Sequence, residues 1–336
     1  MRHAAITGTG SHVPDHIVTN AELSDRLGGD IDEFVSGTLG INERRYCAPG
    51  ESTVDLAEQA ARKALESARR TLADVDLLIV ATDTPEYISP ATASALHGRL
   101  GLENRTGAFD VNAGCAGFVT ALDTAWKYLA SDNRYRCVLV VGAYVMSRFL
   151  DFSDKKTSTI FADGAGAVVV EVSDAPGILA SELYADGSLS AGMGVFAGGT
   201  AEPITEEVLK DGYRNHLRFV QKYPSSVNEE GWPRIARSVL SRIDRSEDDV
   251  DLWLWTQVNL STIKLVMQSM NQPMEKAHTV MGKWGYTGSA CLPMALDDAV
   301  KAGKIKDGDL LLLTASGAGL AMGSLALVWR AAGTAA

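Results

Sequence analysis

The sequence predicts an α/β fold in which one unit is used twice, and three observations carry that expectation. Asp74-Val75-Asp76-Leu77 recurs as Asp249-Val250-Asp251-Leu252, an offset of 175 residues. Ala121-Leu122-Asp123 recurs as Ala295-Leu296-Asp297, an offset of 174 residues. Two apolar runs match in the same order, 138–141 with 310–313 and 164–170 with 321–328. Short matches alone would be chance; a shared order at a near-constant offset marks a repeated unit.

Each element follows from local pattern. Ser52-Thr53 opens the amphipathic Ala-, Leu- and Glu-rich stretch 54–68, a capped helix. The runs 77–81 and 252–255 are short, continuous and apolar, as buried strands are. An extended segment ending at Val111 passes through small residues into a second helical pattern over 119–129. The repeat divides the chain into halves 1–173 and 174–336, the first holding the candidate nucleophile described below. Residues 185–235, Gly-rich and then charged, read as an irregular insertion in the second half, placed to line a substrate entrance. Its glycines form no dinucleotide fingerprint, because no strong strand precedes them and no helix with the required acidic residue follows.

Composition narrows the function classes. The 336 residues are 46% hydrophobic and 22% charged, ordinary for a soluble globular enzyme. A net charge of −11 argues against a nucleic-acid partner, whose footprint is basic. No apolar run approaches the roughly 20 residues of a membrane span, so a cytoplasmic protein without a membrane partner is expected. Cys47, Cys115, Cys137 and Cys291 are widely spaced with no CxxC pair, which argues against a metal site or disulfide framework. Each is then core filler or a nucleophile.

Cys115 has the setting of a nucleophile. In Phe109-Asp110-Val111-Asn112-Ala113-Gly114-Cys115-Ala116-Gly117-Phe118 it sits among small residues between an extended run and a helix. A thiol at a helix N-terminus meets the positive end of the helix dipole and free backbone N–H groups, both of which favour thiolate. Gly114 and Gly117 allow close approach of backbone and substrate. The competing reading is a small buried cysteine in a strand-to-helix turn.

The run Asn112–Phe118 resembles the nucleophile segment of the ketoacyl-(acyl-carrier-protein) synthase III family of the thiolase superfamily. Further stretches resemble that family in order along the chain. They are Gly40-Ile41-Asn42-Glu43-Arg44-Arg45, Phe161-Ala162-Asp163-Gly164-Ala165-Gly166-Ala167, Gly285-Tyr286-Thr287-Gly288-Ser289-Ala290 and Ser316-Gly317-Ala318-Gly319. The resemblance implies a duplicated, five-layered α-β-α-β-α architecture, a homodimer, and an acyl group carried on Cys115. It implies no permanently bound cofactor or metal; the substrate is a thioester of CoA or of a phosphopantetheine-bearing acyl carrier protein.

The resemblance also exposes departures. The family's catalytic His position falls on Thr256, in Trp255-Thr256-Gln257-Val258-Asn259, and its Asn position on Tyr286, 30 residues later as the motif spacing requires. Thr is no base near neutral pH, and Tyr can donate a hydrogen bond. Decarboxylation of a malonyl unit asks for more than these two supply, whereas transfer needs a thiolate, an oxyanion hole and a positioned acceptor. The family's oxyanion hole would fall on the backbone N–H groups of Cys115 and Ala318. Three functions stand: acyl transfer to a non-malonyl acceptor, condensation with substitute residues, and a catalytically silent partner subunit. Of the six histidines, only His216, in the insertion, is placed to reach the pocket.

On the substrate side, the family's adenine-clamping Trp and Arg fall on Phe34 and Thr38, and a second nucleotide-facing cation on Lys155. Lys155 and Lys156 read equally well as a solvated pair. Asn259 matches the residue that hydrogen-bonds the pantetheine arm. Ser316 replaces a bulky aromatic beside the thiol, and Trp284 and Tyr286 add bulk opposite. Trp253 and Trp255 read as core or pocket wall.

Overall fold

A computed structural model describes residues 2–330 except Tyr213, Lys222 and Ser225, so part of the expected insertion and the last residues of the second half lie outside the described residues. In the first half the chain runs β1 (His3–His12), β2 (His16–Thr19), α1 (Asn20–Leu27), α2 (Asp32–Phe34), β3 (Glu43–Tyr46), α3 (Thr53–Ala68), β4 (Leu77–Ala81) and α4 (Thr92–Leu100). It continues through β5 (Gly107–Val111), α5 (Gly117–Ser131), β6 (Cys137–Val145), α6 (Lys155–Ser158) and β7 (Asp163–Ser173). Then come β8 (Ile178–Ala185), β9 (Met193–Gly194), α7 (Glu206–Asp211), β10 (Arg218–Phe219), α8 (Ser226–Glu229) and α9 (Gly231–Ser241). The chain closes with β11 (Leu252–Trp255), α10 (Leu260–Ser269), α11 (Met281–Trp284), α12 (Cys291–Lys301), β12 (Leu310–Gly317) and β13 (Ala321–Val328).

The local signals act as expected. Ser52 and Asp55 close a capping box on α3, and nine residues of that helix are buried along one face. The apolar runs become β4 and β11 with no exposed position. His278 lies ahead of α11, next to an isolated bridge between Trp253 and Ala277. Within the expected irregular insertion, the described residues form short elements and the longer α9, whose Trp232, Ile235, Ala236, Val239 and Leu240 are buried.

The two halves meet through helices, and this brings the site together. One sheet has the order β1-β7-β6-β4-β5 and the other β11-β12-β13-β8. α3 and α4 cover the outer face of the first sheet, α5 and α12 lie between the sheets, and α9 covers the outer face of the second with α10 beside it. That is the five-layered α-β-α-β-α arrangement. The glycines of β6 and β7 permit the close middle layer: a Cβ at Gly142 would fall 2.5 Å from the Ser289 carbonyl oxygen, and one at Gly166 2.6 Å from the Met294 nitrogen. Trp253, Trp255 and Trp232 stack in the core with centroids 5.2 and 5.6 Å apart, so these tryptophans are filler rather than cavity wall.

Candidate active site

The site forms where the carboxyl ends of parallel strands meet, the usual position for a ligand in an α/β sheet. Ala81 pairs with Val111 on one side and with Gly142 on the other, so the residues following β4 and β5 and the end of β6 emerge together. The turn Asn112–Ala116 leads from β5 into α5 and carries Cys115. Gly114, at φ 52°, makes that turn, and the glycine turn after β12 lies directly on it. A Cβ at Gly317 would be 2.3 Å from the Cys115 nitrogen, and one at Gly114 would be 2.9 Å from the Ala318 nitrogen. Only glycine allows two backbones to approach this closely.

Cys115 borders a cavity of about 350 Å³ together with Thr256, Tyr286, Asn259 and Ser316. The structure thus brings together five of the residues singled out in the sequence, with the Ala318 backbone beside them. The Tyr286 hydroxyl faces the Cys115 sulfur across this cavity, where it favours a negative sulfur. Tyr286 is held from both sides: its N–H donates to the Ile160 carbonyl at 3.0 Å, its carbonyl accepts from Ala162 at 2.8 Å, and its ring packs on Phe161 at 5.5 Å. Thr256 Oγ1 accepts from the Ser316 N–H at 3.0 Å, which leaves its own hydroxyl proton free to donate. Asn259 caps α10, its Oδ1 accepting from Ser261 and Thr262, and its amide nitrogen takes no part in that cap.

The expected resting thiolate is not supported. Cys115 is buried, and burial pushes its thiol well above the ordinary value; the Asp83 carboxylate and Cys291 push the same way. The Tyr286 hydrogen bond and a backbone N–H act in the opposite direction and are outweighed. Desolvation penalises a charged sulfur by more than one helix end favours it. Burial also pushes the Tyr286 hydroxyl well up, so it stays protonated and acts as a donor.

Three substrate-side expectations fall outside this cavity. Phe34 stands at the surface, 59% exposed on the short α2. Lys155 is exposed at the start of α6, its ammonium near Gly29, where an added Cβ would lie 3.3 Å away. Trp284 is not on the cavity wall; its ring lies beneath the Lys283 ammonium at 4.3 Å. The reason is Gly285, at φ 70°, which turns the chain between Trp284 and the inward Tyr286. Thr38 accepts from the Ser261 hydroxyl through its carbonyl at 2.9 Å. His216 bonds the Gly212 carbonyl at 2.8 Å and lies near Asp151, away from the thiol. His278 pairs with Asp298 at 2.8 Å and has Lys304 at 3.1 Å, a structural role.

Asp83, whose charge acts on the thiol, and Asn228 and Glu229, on the cavity wall, were not singled out in the sequence. Asp83 follows β4, and its position beyond a parallel strand's carboxyl end was a usable signal. Asn228 and Glu229 line the cavity from α8, and nothing local in Ser226–Glu229 announces it. Among the described residues no group of His, Cys, Asp and Glu could hold a metal ion, and no helix is long and apolar enough to cross a membrane.

Comparison with known proteins fits this geometry. The family model for 3-oxoacyl-(acyl-carrier-protein) synthase III matches residues 109–187, and its C-terminal counterpart matches residues 240–329. A β-ketoacyl-(acyl-carrier-protein) synthase III of Alkalilimnicola ehrlichii is 39% identical over 324 residues, covering 96% of this chain and 98% of that protein. The chain belongs to the 3-oxoacyl-(acyl-carrier-protein) synthase III family. Membership makes it a transferase of the thiolase fold. The crystal structure of the Aquifex aeolicus synthase III has a TM-score of 0.86 at 33% identity, covering 97% of this chain and all of its own, 100%. The priming β-ketosynthase of the R1128 polyketide pathway has a TM-score of 0.89 at 29% identity, covering 98% of this chain and 97% of its own. The first model begins at Phe109, three residues before the turn that carries Cys115, and the second takes in Thr256, Tyr286 and Ser316, whereas the α8 wall of the cavity lies between the two matches.

Proposed function

We propose that this synthase III relative is an acyltransferase that loads an acyl group from a CoA or carrier-protein thioester onto Cys115. It then passes the group to an acceptor other than a malonyl unit, in polyketide or other secondary metabolism, and works as a homodimer. The observation that carries the reading is the pair of groups facing the thiol. Tyr286 presents a neutral hydroxyl on the sulfur's side of the cavity, Thr256 holds a free hydroxyl proton, and no His, Lys or Arg is among the described residues lining the cavity.

On loading, the carbon–sulfur bond to Cys115 forms, the donor's carbon–sulfur bond breaks, the thiol proton passes to the departing CoA or carrier thiolate, and the thioester oxygen is held as charge develops. The Cys115 and Ala318 backbone N–H groups, on the two turns packed face to face, are the pair we assign to that oxygen. Tyr286 supports the sulfur while it is negative. Asn259 and Ser316 face the arm of the incoming thioester, and Phe34 and Lys155 flank its route at the surface. Enolate formation after loss of CO₂ would ask for stronger donors than two neutral hydroxyls. A homodimer suits β5, an edge strand whose five residues are all half-buried in the single chain.

Carbon–carbon condensation is the second reading, favoured by the activity named for the full-length relatives. Intact-protein mass spectrometry with butyryl-CoA and a butyryl carrier protein separates the two. One acyl adduct per chain is expected, absent in Cys115→Ala, with no CO₂ released from a malonyl thioester. CO₂ release that disappears in Cys115→Ala or Tyr286→Phe would replace transfer by condensation, and the absence of any adduct would sink both.

A further inference from the structure

The cavity beside Cys115 has a second wall, of which the loading chemistry uses only Ser316. Trp232 Nε1 donates to Ser316 Oγ at 3.0 Å, and Ser316 Oγ donates to Asn228 Oδ1 at 2.8 Å. The direction of this chain is dictated by its first member. An indole N–H can only donate, so the serine oxygen accepts it, and the serine proton is given to the amide oxygen of Asn228. That bond fixes the amide orientation. The Asn228 –NH₂ group is therefore turned away from Ser316, and it makes no hydrogen bond among the described residues. Trp232 is fully buried and Ser316 is 8% exposed, so the chain is anchored in the core.

Glu229, the next residue on α8, also lines the cavity. It is the one carboxylate among the described lining residues, and it forms no hydrogen bond or ion pair within the described chain. A fixed amide donor and an unpaired carboxylate acceptor thus line the same cavity as the sulfur. The group complementary to that pair both accepts and donates a hydrogen bond. A hydroxyl does so. An alkylammonium, the form an aliphatic amine takes near neutral pH, can only donate and would oppose the Asn228 N–H groups.

We infer that Asn228 and Glu229 form the acceptor site, and that the acceptor of the acyl group is an alcohol. This rests on the transfer reading above and names its second substrate class. Asn228 holds the hydroxyl oxygen, and Glu229 takes its proton as that oxygen attacks the Cys115 thioester carbonyl. The new carbon–oxygen bond forms, the carbon–sulfur bond breaks, and Cys115 leaves as a thiolate supported by Tyr286. The proton on Glu229 then passes to the sulfur, which restores the resting thiol and carboxylate. Ser316 and Trp232 are positioning residues, acting through Asn228.

Water and methanol, the smallest hydroxyl probes, test this without knowledge of the natural acceptor. Wild-type protein is loaded with butyryl-CoA, freed of excess thioester, and followed by intact mass as the acyl group leaves, with methyl butyrate measured alongside. In Glu229→Gln, loading should keep the wild-type rate. Discharge to both probes should slow by roughly 100-fold, as expected for loss of a general base, and its dependence on pH should flatten. Asn228→Ala and Ser316→Ala should raise the methanol concentration needed for half-maximal ester formation while keeping the pH dependence. Discharge from Glu229→Gln at the wild-type rate, or loading slowed to the same degree as discharge, would overturn the acceptor site alone. Failure of the wild-type protein to load would remove the transfer reading and the acceptor site together.

Discussion

At Cys115 two opposing effects meet, and their relative size sets the reactivity of the resting enzyme. Position at a helix start favours thiolate, yet the sulfur is buried, with Asp83 adding negative charge nearby. Asp83 is itself displaced. Its Oδ1 is shielded without a partner, and burial raises its carboxyl from 3.8 to about 6. A carboxyl raised on folding contributes most stability below its unfolded value and loses it as pH rises through the folded value. Asp83→Asn should therefore stabilise the protein by on the order of 2 kcal/mol at pH 8 and by almost nothing at pH 3, read from urea midpoints. The same variant removes a like charge from the thiol, so iodoacetamide should alkylate Cys115 faster at pH 8. Unchanged alkylation would show that the Asp83 charge does not reach the sulfur. Tyr286→Phe should act in the reverse sense and slow alkylation, since the ring packing on Phe161 is kept while the donor is lost.

Elements matter here through the places where two of them touch. Gly317 ends β12 against the nucleophile turn, where any side chain would meet the Cys115 nitrogen. Gly317→Ala should cost about 1–3 kcal/mol from overpacking, and should abolish acyl loading even where the protein remains folded. Circular dichroism melting and adduct formation read the two effects separately. Arg44, on β3, is fully buried and binds the Val18 carbonyl, Asn20 Oδ1 and the Thr159 carbonyl. Its Cβ lies 2.7 Å from where a Gly285 side chain would begin, so it backs the turn that presents Tyr286. Arg44→Met leaves these acceptors unpaired, and a loss of roughly 2–4 kcal/mol is expected in chemical denaturation. The capping box on α3 and the apolar strands β4 and β11 were legible in sequence, because caps and burial patterns are local. The inward Tyr286 and outward Trp284 were not distinguishable there, since the φ of Gly285 decides which faces the cavity.

Across the whole molecule, the repeat became two sheets that share the middle helices α5 and α12. The cavity is closed by both halves: Cys115 and Phe161 come from the first, and Thr256, Tyr286 and Ser316 from the second. Neither half holds the site alone, so expression of 1–173 by itself should yield no acylatable Cys115. The edge strand β5 carries the dimer expectation to this scale. Sedimentation velocity should show a species of twice the chain mass at micromolar concentration, and the β5 amides should resist hydrogen exchange. A monomer with freely exchanging β5 amides would count against the homodimer.

The α/β repeat, the order of its elements, and the Cys, Thr and Tyr that share one cavity were all readable from the chain alone. These are matters of local pattern, motif order and spacing, which survive without coordinates. The tertiary fold pushes the Cys115 thiol up, because its burial depends on residues brought from both halves. It also decided that Asp83 stands near the thiol, and that Asn228 and Glu229 share its cavity. Those residues lie in loops and short turns, whose positions are set by the elements they join rather than by their own sequence.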